Sequence, residues 1–74
     1  MSELATVGID LAKSVFQIHG VDGTGRVLVR RQLRRSQLLA FFQKHPRCLI
    51  GMEACAGSHD WGRRLQEMGH DVRL

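Results

Sequence analysis

Two acidic residues, each at the end of a short apolar segment, are the side chains best suited to chemistry. Asp10 follows Val7-Gly8-Ile9, and Glu53 follows Cys48-Leu49-Ile50-Gly51-Met52. If the two segments are neighbouring strands, about 4.8 Å apart, carboxylates at matching ends can share one cation. A hard divalent ion such as Mg²⁺ prefers oxygen ligands and offsets the repulsion between two close carboxylates. The spacing alone is also compatible with two unrelated acids, one capping a turn and the other solvated.

The segments that carry these acids belong to an alternation of strands and helices that predicts an α/β domain. Apolar, β-branched or alternating residues indicate strands at residues 4–10, 15–21, 26–33, 48–53 and 71–74. A helix with Ser36 as its N-cap is indicated after the third strand, and Pro46 ends it. A second helix is indicated between Ser58 as its cap and Gly69 as its C′ residue. The predicted order is β-β-β-α-β-α-β.

The order of elements predicts how the sheet is arranged. A right-handed crossover from the third strand carries the fourth strand past the hairpin to lie beside the first, parallel to it. The fifth strand adds outside the fourth, so the predicted mixed sheet has the order 3-2-1-4-5. Ligand sites in such sheets form beyond the carboxyl ends of the central strands, where Asp10 and Glu53 lie. We expect both helices to cover one face and to leave an open apolar face, which predicts homo-oligomers.

A cluster of arginines in the third strand and at the start of the first helix is the candidate nucleic-acid surface. Its members are Arg26, Arg30, Arg31, Arg34 and Arg35, in a chain of formal charge +4. Arginine forks suit phosphate oxygens, so the cluster predicts weak, salt-sensitive binding of nucleic acid. The alternative interpretation is a solvated edge strand whose charged side chains discourage pairing with the edge strand of another molecule.

Length and composition favour one cytoplasmic domain. The chain has 74 residues with ordinary hydrophobic and charged fractions, which argues against disorder. Cys48 and Cys55 are too far apart in an extended segment for a disulfide, and no CxxC pair exists, so reduced thiols are expected. No signal peptide is recognisable, and no segment approaches the roughly 18 apolar residues of a membrane span.

Two blocks of sequence resemble the DEDD-type transposases of bacterial insertion sequences. The first is Val7-Gly8-Ile9-Asp10-Leu11-Ala12-Lys13. The second runs from Gly51 to His59 (Gly-Met-Glu-Ala-Cys-Ala-Gly-Ser-His) and continues with Trp61, Leu65 and Gly69-His70-Asp71-Val72. The second block is the more specific, because many RNase H-like proteins begin with Gly-Ile-Asp. The resemblance covers nearly the whole chain.

The resemblance implies a RuvC-like domain of the RNase H superfamily. Four acids in that family bind Mg²⁺ (or Mn²⁺) for DNA strand cleavage and exchange, and Asp10 and Glu53 match the first two. The other pair, Asp-x-x-Asp, lies on a later helix, so residues 1–74 would be the N-terminal part of the catalytic domain, truncated before its C-terminal helices. We therefore expect this fragment to be inactive and, with only two of the four acids, to bind metal too weakly to retain a bound ion. The family also uses a guide RNA and a nucleophilic serine in a further domain, a role that does not pass to Ser14, Ser36 or Ser58.

Several nearby residues have a structural and a functional interpretation. Lys13, three residues beyond the first acid, is either a phosphate-binding cation or an ordinary turn cation. His19 and His45 are expected at the surface. Asp60 fits the first turn of a helix, and Trp61 is expected in the core.

Two other functions remain open on the residues alone. A sugar-kinase or actin-like ATPase domain also places an Asp at the end of its first strand. It normally has glycines in the following turn, where this chain has Leu11-Ala12-Lys13-Ser14. A non-catalytic module for nucleic-acid binding or dimerisation is the third interpretation.

Overall fold

A computed structural model describes residues 3–11, 15–53 and 58–73. The elements are β1 (Thr6–Leu11), β2 (Val15–Val21), β3 (Val27–Arg34), α1 (Arg35–Gln43), β4 (Leu49–Met52), α2 (Ser58–Glu67) and β5 (Asp71–Arg73). The predicted order of elements is confirmed.

The five strands form one mixed sheet in the predicted order β3-β2-β1-β4-β5. β1 is antiparallel to β2 and parallel to β4, and β4 is parallel to β5. Both helical connections move across the sheet in the same direction, so right-handed crossovers put both helices on one face. We call this the helix face and the opposite side of the sheet the open face.

The hydrophobic core lies between the helix face and the two helices. Alternate strand residues point into it, and the helices contribute a stripe of large apolar side chains. The strand members include Val7, Ile9, Phe16, Ile18, Leu33, Ile50, Met52 and Val72, and the helix members include Leu38, Phe41, Phe42, Trp61 and Leu65. Phe16 and Trp61 meet edge to face with ring centroids 5.2 Å apart, so the core position predicted for Trp61 is confirmed.

The prediction of an open apolar face is wrong. Outward positions of the central strands carry polar residues or glycine: Thr6, Gly8 and Asp10 on β1, Gln17 and His19 on β2, Gly51 on β4. Large apolar side chains are exposed chiefly at the end of the sheet where β1 begins, at Val27, Leu28 and Leu49. The open face therefore gives no support to the predicted homo-oligomer, and oligomerisation stays a prediction.

The first helix begins two residues earlier than the sequence indicates. Arg34, and not Ser36, is the N-cap of α1, and the Gln37 side-chain oxygen accepts a hydrogen bond from the Arg34 N–H at 3.0 Å. Gln37 thus supplies one half of a capping box, the half in which the third helical residue satisfies the cap's backbone. The hydroxyl of Ser36 makes it a good cap by residue type, but β3 leads directly into the helix at Arg34.

The second helix ends in the way the sequence predicts. Gly69 has φ of +99°, which glycine adopts without strain. Its N–H donates to the Gln66 carbonyl at 2.9 Å, and the His70 N–H donates to the Leu65 carbonyl at 3.2 Å. This pair of bonds is a Schellman motif. At its other end the helix begins at Ser58 itself, which is buried.

A buried histidine ties the end of α1 to β4 and to the start of β5. His70 Nδ1 accepts a hydrogen bond from the Cys48 N–H at 3.2 Å, so the ring carries its proton on Nε2. That atom lies 3.1 Å from the Phe42 carbonyl, to which it donates. The Cys48 thiol is 3.6 Å from Nδ1, and burial raises the pKa of this thiol, which keeps it protonated and unreactive.

Replacing His70 by Leu is expected to lower the free energy of unfolding by about 1–3 kcal/mol, because it leaves the Cys48 N–H buried without an acceptor. The Phe42 carbonyl suffers less, since it also accepts from the His45 N–H. Urea unfolding measures the loss. His59→Leu, on an exposed side chain of α2, is the control and should change stability by no more than about 0.5 kcal/mol. Equal effects of the two substitutions would show that the buried hydrogen bonds contribute nothing.

Candidate functional site

Asp10 and Glu53 line one open cleft on the open face, with a volume of about 610 Å³. We call it the Asp10–Glu53 cleft. The residues around it come from β1, β2, β3 and β4 or directly follow them: Gly8, Ile9, Asp10, Gln17, Ile18, His19, Arg30, Gly51, Met52 and Glu53. The cleft thus lies where the central parallel strands end.

The register of the two parallel strands explains why both acids line the same cleft. Ile9 of β1 is the partner of Met52 of β4, and both side chains are buried in the core. The next residue on each segment points to the opposite side, because side chains alternate along an extended chain. Asp10 and Glu53 are those next residues, and both are exposed on the open face.

Polar residues of β2 and β3 extend the same face beside the acids. Gln17 is the cross-strand partner of Asp10, and Gln32 is the partner of Gln17. Sequence reasoning missed Gln17 as a cleft residue and assigned His19 only to the surface. The alternation of β2 could have identified both, because Phe16 and Ile18 point into the core and their neighbours must point to the open face.

Asp10 and Glu53 form no ion pair with a described side chain. Asp60 pairs with Arg64 at 3.3 Å and Asp71 pairs with Arg73 at 3.4 Å, and neither pair includes an acid of the cleft. Asp10 and Glu53 therefore have no cationic partner among the described side chains. Asp60, expected in a first helical turn, lies there and pairs four residues along α2.

The donors in the cleft suit a hard divalent cation, although they are too few to enclose one. Two carboxylates on adjacent parallel segments are the oxygen ligands that Mg²⁺ prefers. No group of three or more His, Cys, Asp or Glu side chains able to hold a metal occurs in the described ranges. Asp10 and Glu53 could thus hold such an ion only together with water, substrate or further protein ligands.

The arginine cluster is divided between the two faces of the sheet. Arg30 lines the Asp10–Glu53 cleft. Arg31 lies instead over the Phe41 ring at 5.9 Å, and Arg35 lies over Phe16 at 5.9 Å and Trp61 at 5.8 Å. Arg26 and Arg34 are exposed at the two ends of β3. The five residues are therefore not one surface, because strand alternation sends Arg30 and Arg31 to opposite sides.

The remaining candidates are placed as follows. Lys13 and Cys55 lie outside the described residues. His19 is exposed as expected, whereas His45 is partly buried with its ring 4.7 Å from that of Phe41. His59 is exposed on α2, beside a second cavity of about 510 Å³ that holds none of the acids of the cleft.

Comparison with known proteins finds similarity to proteins named transposases. A protein of Pseudomonas aeruginosa named probable family 20 transposase is 55% identical over 96% of this chain and 21% of its own length. The chain is homologous to transposases. The Yersinia enterocolitica transposase for insertion sequence element IS1328 is 39% identical over the whole chain and 22% of its own length. The Coxiella burnetii transposase for insertion sequence element IS1111A is 34% identical over the whole chain and 20% of its own length.

The chain spans about a fifth of the length of these transposase relatives. No family model matches the chain, and the comparison with solved structures found no match. Neither helix in the described ranges is long and apolar enough to cross a membrane.

Proposed function

We propose that this chain is part of the catalytic domain of an insertion-sequence transposase, of the RuvC-like, RNase H-like type. The observation that carries the proposal is the meeting of Asp10 and Glu53 in one cleft at the ends of two adjacent parallel strands. The transposase relatives favour this function over the ATPase and the non-catalytic module. In the complete protein the substrate is DNA, and a guide RNA is a further partner.

In this proposal Asp10 and Glu53 are the residues that would hold Mg²⁺ beside a DNA phosphodiester. Bound there, the metal would activate the attacking oxygen and stabilise the leaving oxygen of an in-line phosphoryl transfer. The exposed carboxylates leave room for the DNA phosphate beside them, and the buried Ile9 and Met52 hold the backbone that carries them. Further acids from another part of a transposase would complete the set of ligands.

The isolated chain is expected not to cleave DNA, because two carboxylates do not fix a metal well enough for catalysis. Supercoiled plasmid incubated with the chain and Mg²⁺ or Mn²⁺ should show no more nicking than with a chain in which Asp10 and Glu53 are both replaced by Ala. The positive arm is a chimera in which this chain replaces the matching 71-residue segment of the Pseudomonas aeruginosa relative.

The chimera should cleave the DNA on which that relative acts, in the presence of Mg²⁺ and not of EDTA. An active relative with an inactive, correctly folded chimera would contradict the proposed function. So would metal-dependent nicking by the isolated chain that is lost in the double Ala variant, because two acids would then suffice.

A further inference from the structure

His19 and Arg30 form a basic pair within the Asp10–Glu53 cleft. They are direct cross-strand partners on β2 and β3, and both line the cleft. Both side chains are exposed on the open face. Neighbouring strands lie about 4.8 Å apart, so this pair extends the polar surface of the cleft sideways from β1.

Arg30 differs from Arg31, Arg35 and Arg64 in what its guanidinium contacts. Arg31 and Arg35 lie over aromatic rings on the helix face, and Arg64 lies over Trp61 while pairing with Asp60. Arg30 has no ion pair or ring contact among the described residues. Its charge faces the cleft and is available to an anion.

Two glycines continue the row that starts at Arg30 and His19. Gly8 is the partner of His19 on one side and of Gly51 on the other. A Cβ at Gly51 would meet nothing within 4 Å, and one at Gly8 would meet only the His19 carbonyl oxygen at 3.9 Å. Packing within the described chain therefore does not require glycine here. Glycine inside a strand often marks a place where a ligand or another backbone approaches closely.

The dimensions of the cleft indicate the size of that ligand. Gly8 lies two residues from Asp10, about 6.7 Å along β1, and Arg30 lies two strands away, about 9.6 Å across the sheet. The backbones of Arg30 and Asp10 are thus separated by roughly 12 Å. One phosphate group cannot occupy both ends of the cleft, whereas a nucleic-acid strand of several nucleotides can.

We propose that Arg30 and His19 form a phosphodiester-binding subsite for a nucleic-acid strand that continues over Gly8 and Gly51 to the acids. The inference rests on the proposed function, because it assigns the strand that reaches Asp10 and Glu53. Arg30 supplies a fixed positive charge with a planar fork, and His19 adds a hydrogen-bond donor. The missing side chains at the two glycines let the strand lie close to the sheet.

The test is fluorescence anisotropy of the chain with labelled twelve-nucleotide oligothymidylate or oligouridylate, at several salt concentrations. Arg30→Gln should weaken binding about five- to tenfold, and His19→Gln about two- to fivefold. The salt dependence, as the slope of log K against log salt, should fall by about 0.7 for Arg30→Gln, as expected for one phosphate contact on a single strand. The matched control is Arg47→Gln, an exposed arginine outside the cleft and outside the arginine cluster, which should change affinity less than twofold.

The DNA and RNA arms show which strand occupies the subsite. Tighter binding of either oligonucleotide, with the Arg30 effect on that strand, supports the inference. Equal losses in Arg30→Gln and Arg47→Gln, or no measurable binding of either strand, would overturn it. Amide spectra of each variant check that the fold is kept, which is expected because all three side chains are exposed.

Repeating the titration with Asp10→Asn and with Mg²⁺ or EDTA separates this inference from the proposed function. An Arg30 effect without any influence of Mg²⁺ or Asp10 would leave the subsite standing and count against the metal site. A Mg²⁺ effect that depends on Asp10, with no Arg30 effect, would overturn the subsite and leave the proposed function intact.

Discussion

Replacing Asp10 by Asn in the chimeric transposase is expected to lower the rate of strand cleavage about a hundred- to a thousandfold. The amide keeps the size of the side chain but removes the charge that attracts a divalent ion. Metal stabilisation of the transition state is worth several kcal/mol, and about 3–4 kcal/mol corresponds to this loss of rate. Glu53→Gln should have a similar effect. Single-turnover cleavage of the relative's DNA at saturating protein measures both.

The double variant and a matched control sharpen this prediction. Asp10→Asn with Glu53→Gln should cost little more than either change alone, because residues that act as one unit are not additive. Asp71→Asn is the control, since Asp71 is on β5 and on the open face of the sheet but does not line the cleft. It should leave the rate within about threefold of the parent, a change below roughly 1 kcal/mol. Cleavage that survives either cleft substitution would contradict a catalytic role for that acid.

The largest expected effect on stability is that of Phe16→Ala. Phe16 is only 1% exposed, packs edge to face on Trp61 and has Arg35 over its ring. Truncating a buried phenylalanine costs about 3–5 kcal/mol through lost burial and the cavity left behind. A chain of this size has roughly 4–11 kcal/mol of stability in total, at 0.05–0.15 kcal/mol per residue. The variant should therefore be largely destabilised, and partly unfolded in the less stable part of that range.

Urea unfolding followed by circular dichroism measures this loss. Leu28→Ala is the control, because Leu28 is 37% exposed and lies outside the core cluster, so its truncation should cost less than about 1 kcal/mol. A Phe16→Ala chain as stable as Leu28→Ala would show that β2 is not held by packing against α2. Because Gln17 and His19 lie on the same strand, loss of this packing should also disorder the cleft.

Much of the fold could be predicted because local signals agreed with each other. Strand alternation, the Gly69 helix end and the right-handed crossover rule together fix the sheet order, and that order brings Asp10 and Glu53 together. The cleft therefore follows from topology and from the position of each acid one residue beyond a buried apolar side chain.

What could not be predicted depends on register and on contacts between distant segments. The arginine cluster looked like one surface because its members are close in sequence, but alternation places Arg30 and Arg31 on opposite faces. The bulge between Gly20 and Val21 further shifts the partners of β3. The link from His70 to Cys48 and Phe42 joins residues 22 and 28 positions apart, which no local pattern reveals.

The central claim is that Asp10 and Glu53 bind one divalent cation in the same cleft, and titration with Mn²⁺ tests it most directly. Mn²⁺ is paramagnetic and broadens the amide signals of nearby residues in a ¹⁵N-labelled chain. We predict that the signals of Ile9, Asp10, Met52 and Glu53 disappear first, at millimolar Mn²⁺, and that they persist in the Asp10→Asn, Glu53→Gln double variant. Uniform broadening, or broadening centred on His59 or Asp71 and unchanged in the double variant, would contradict the claim.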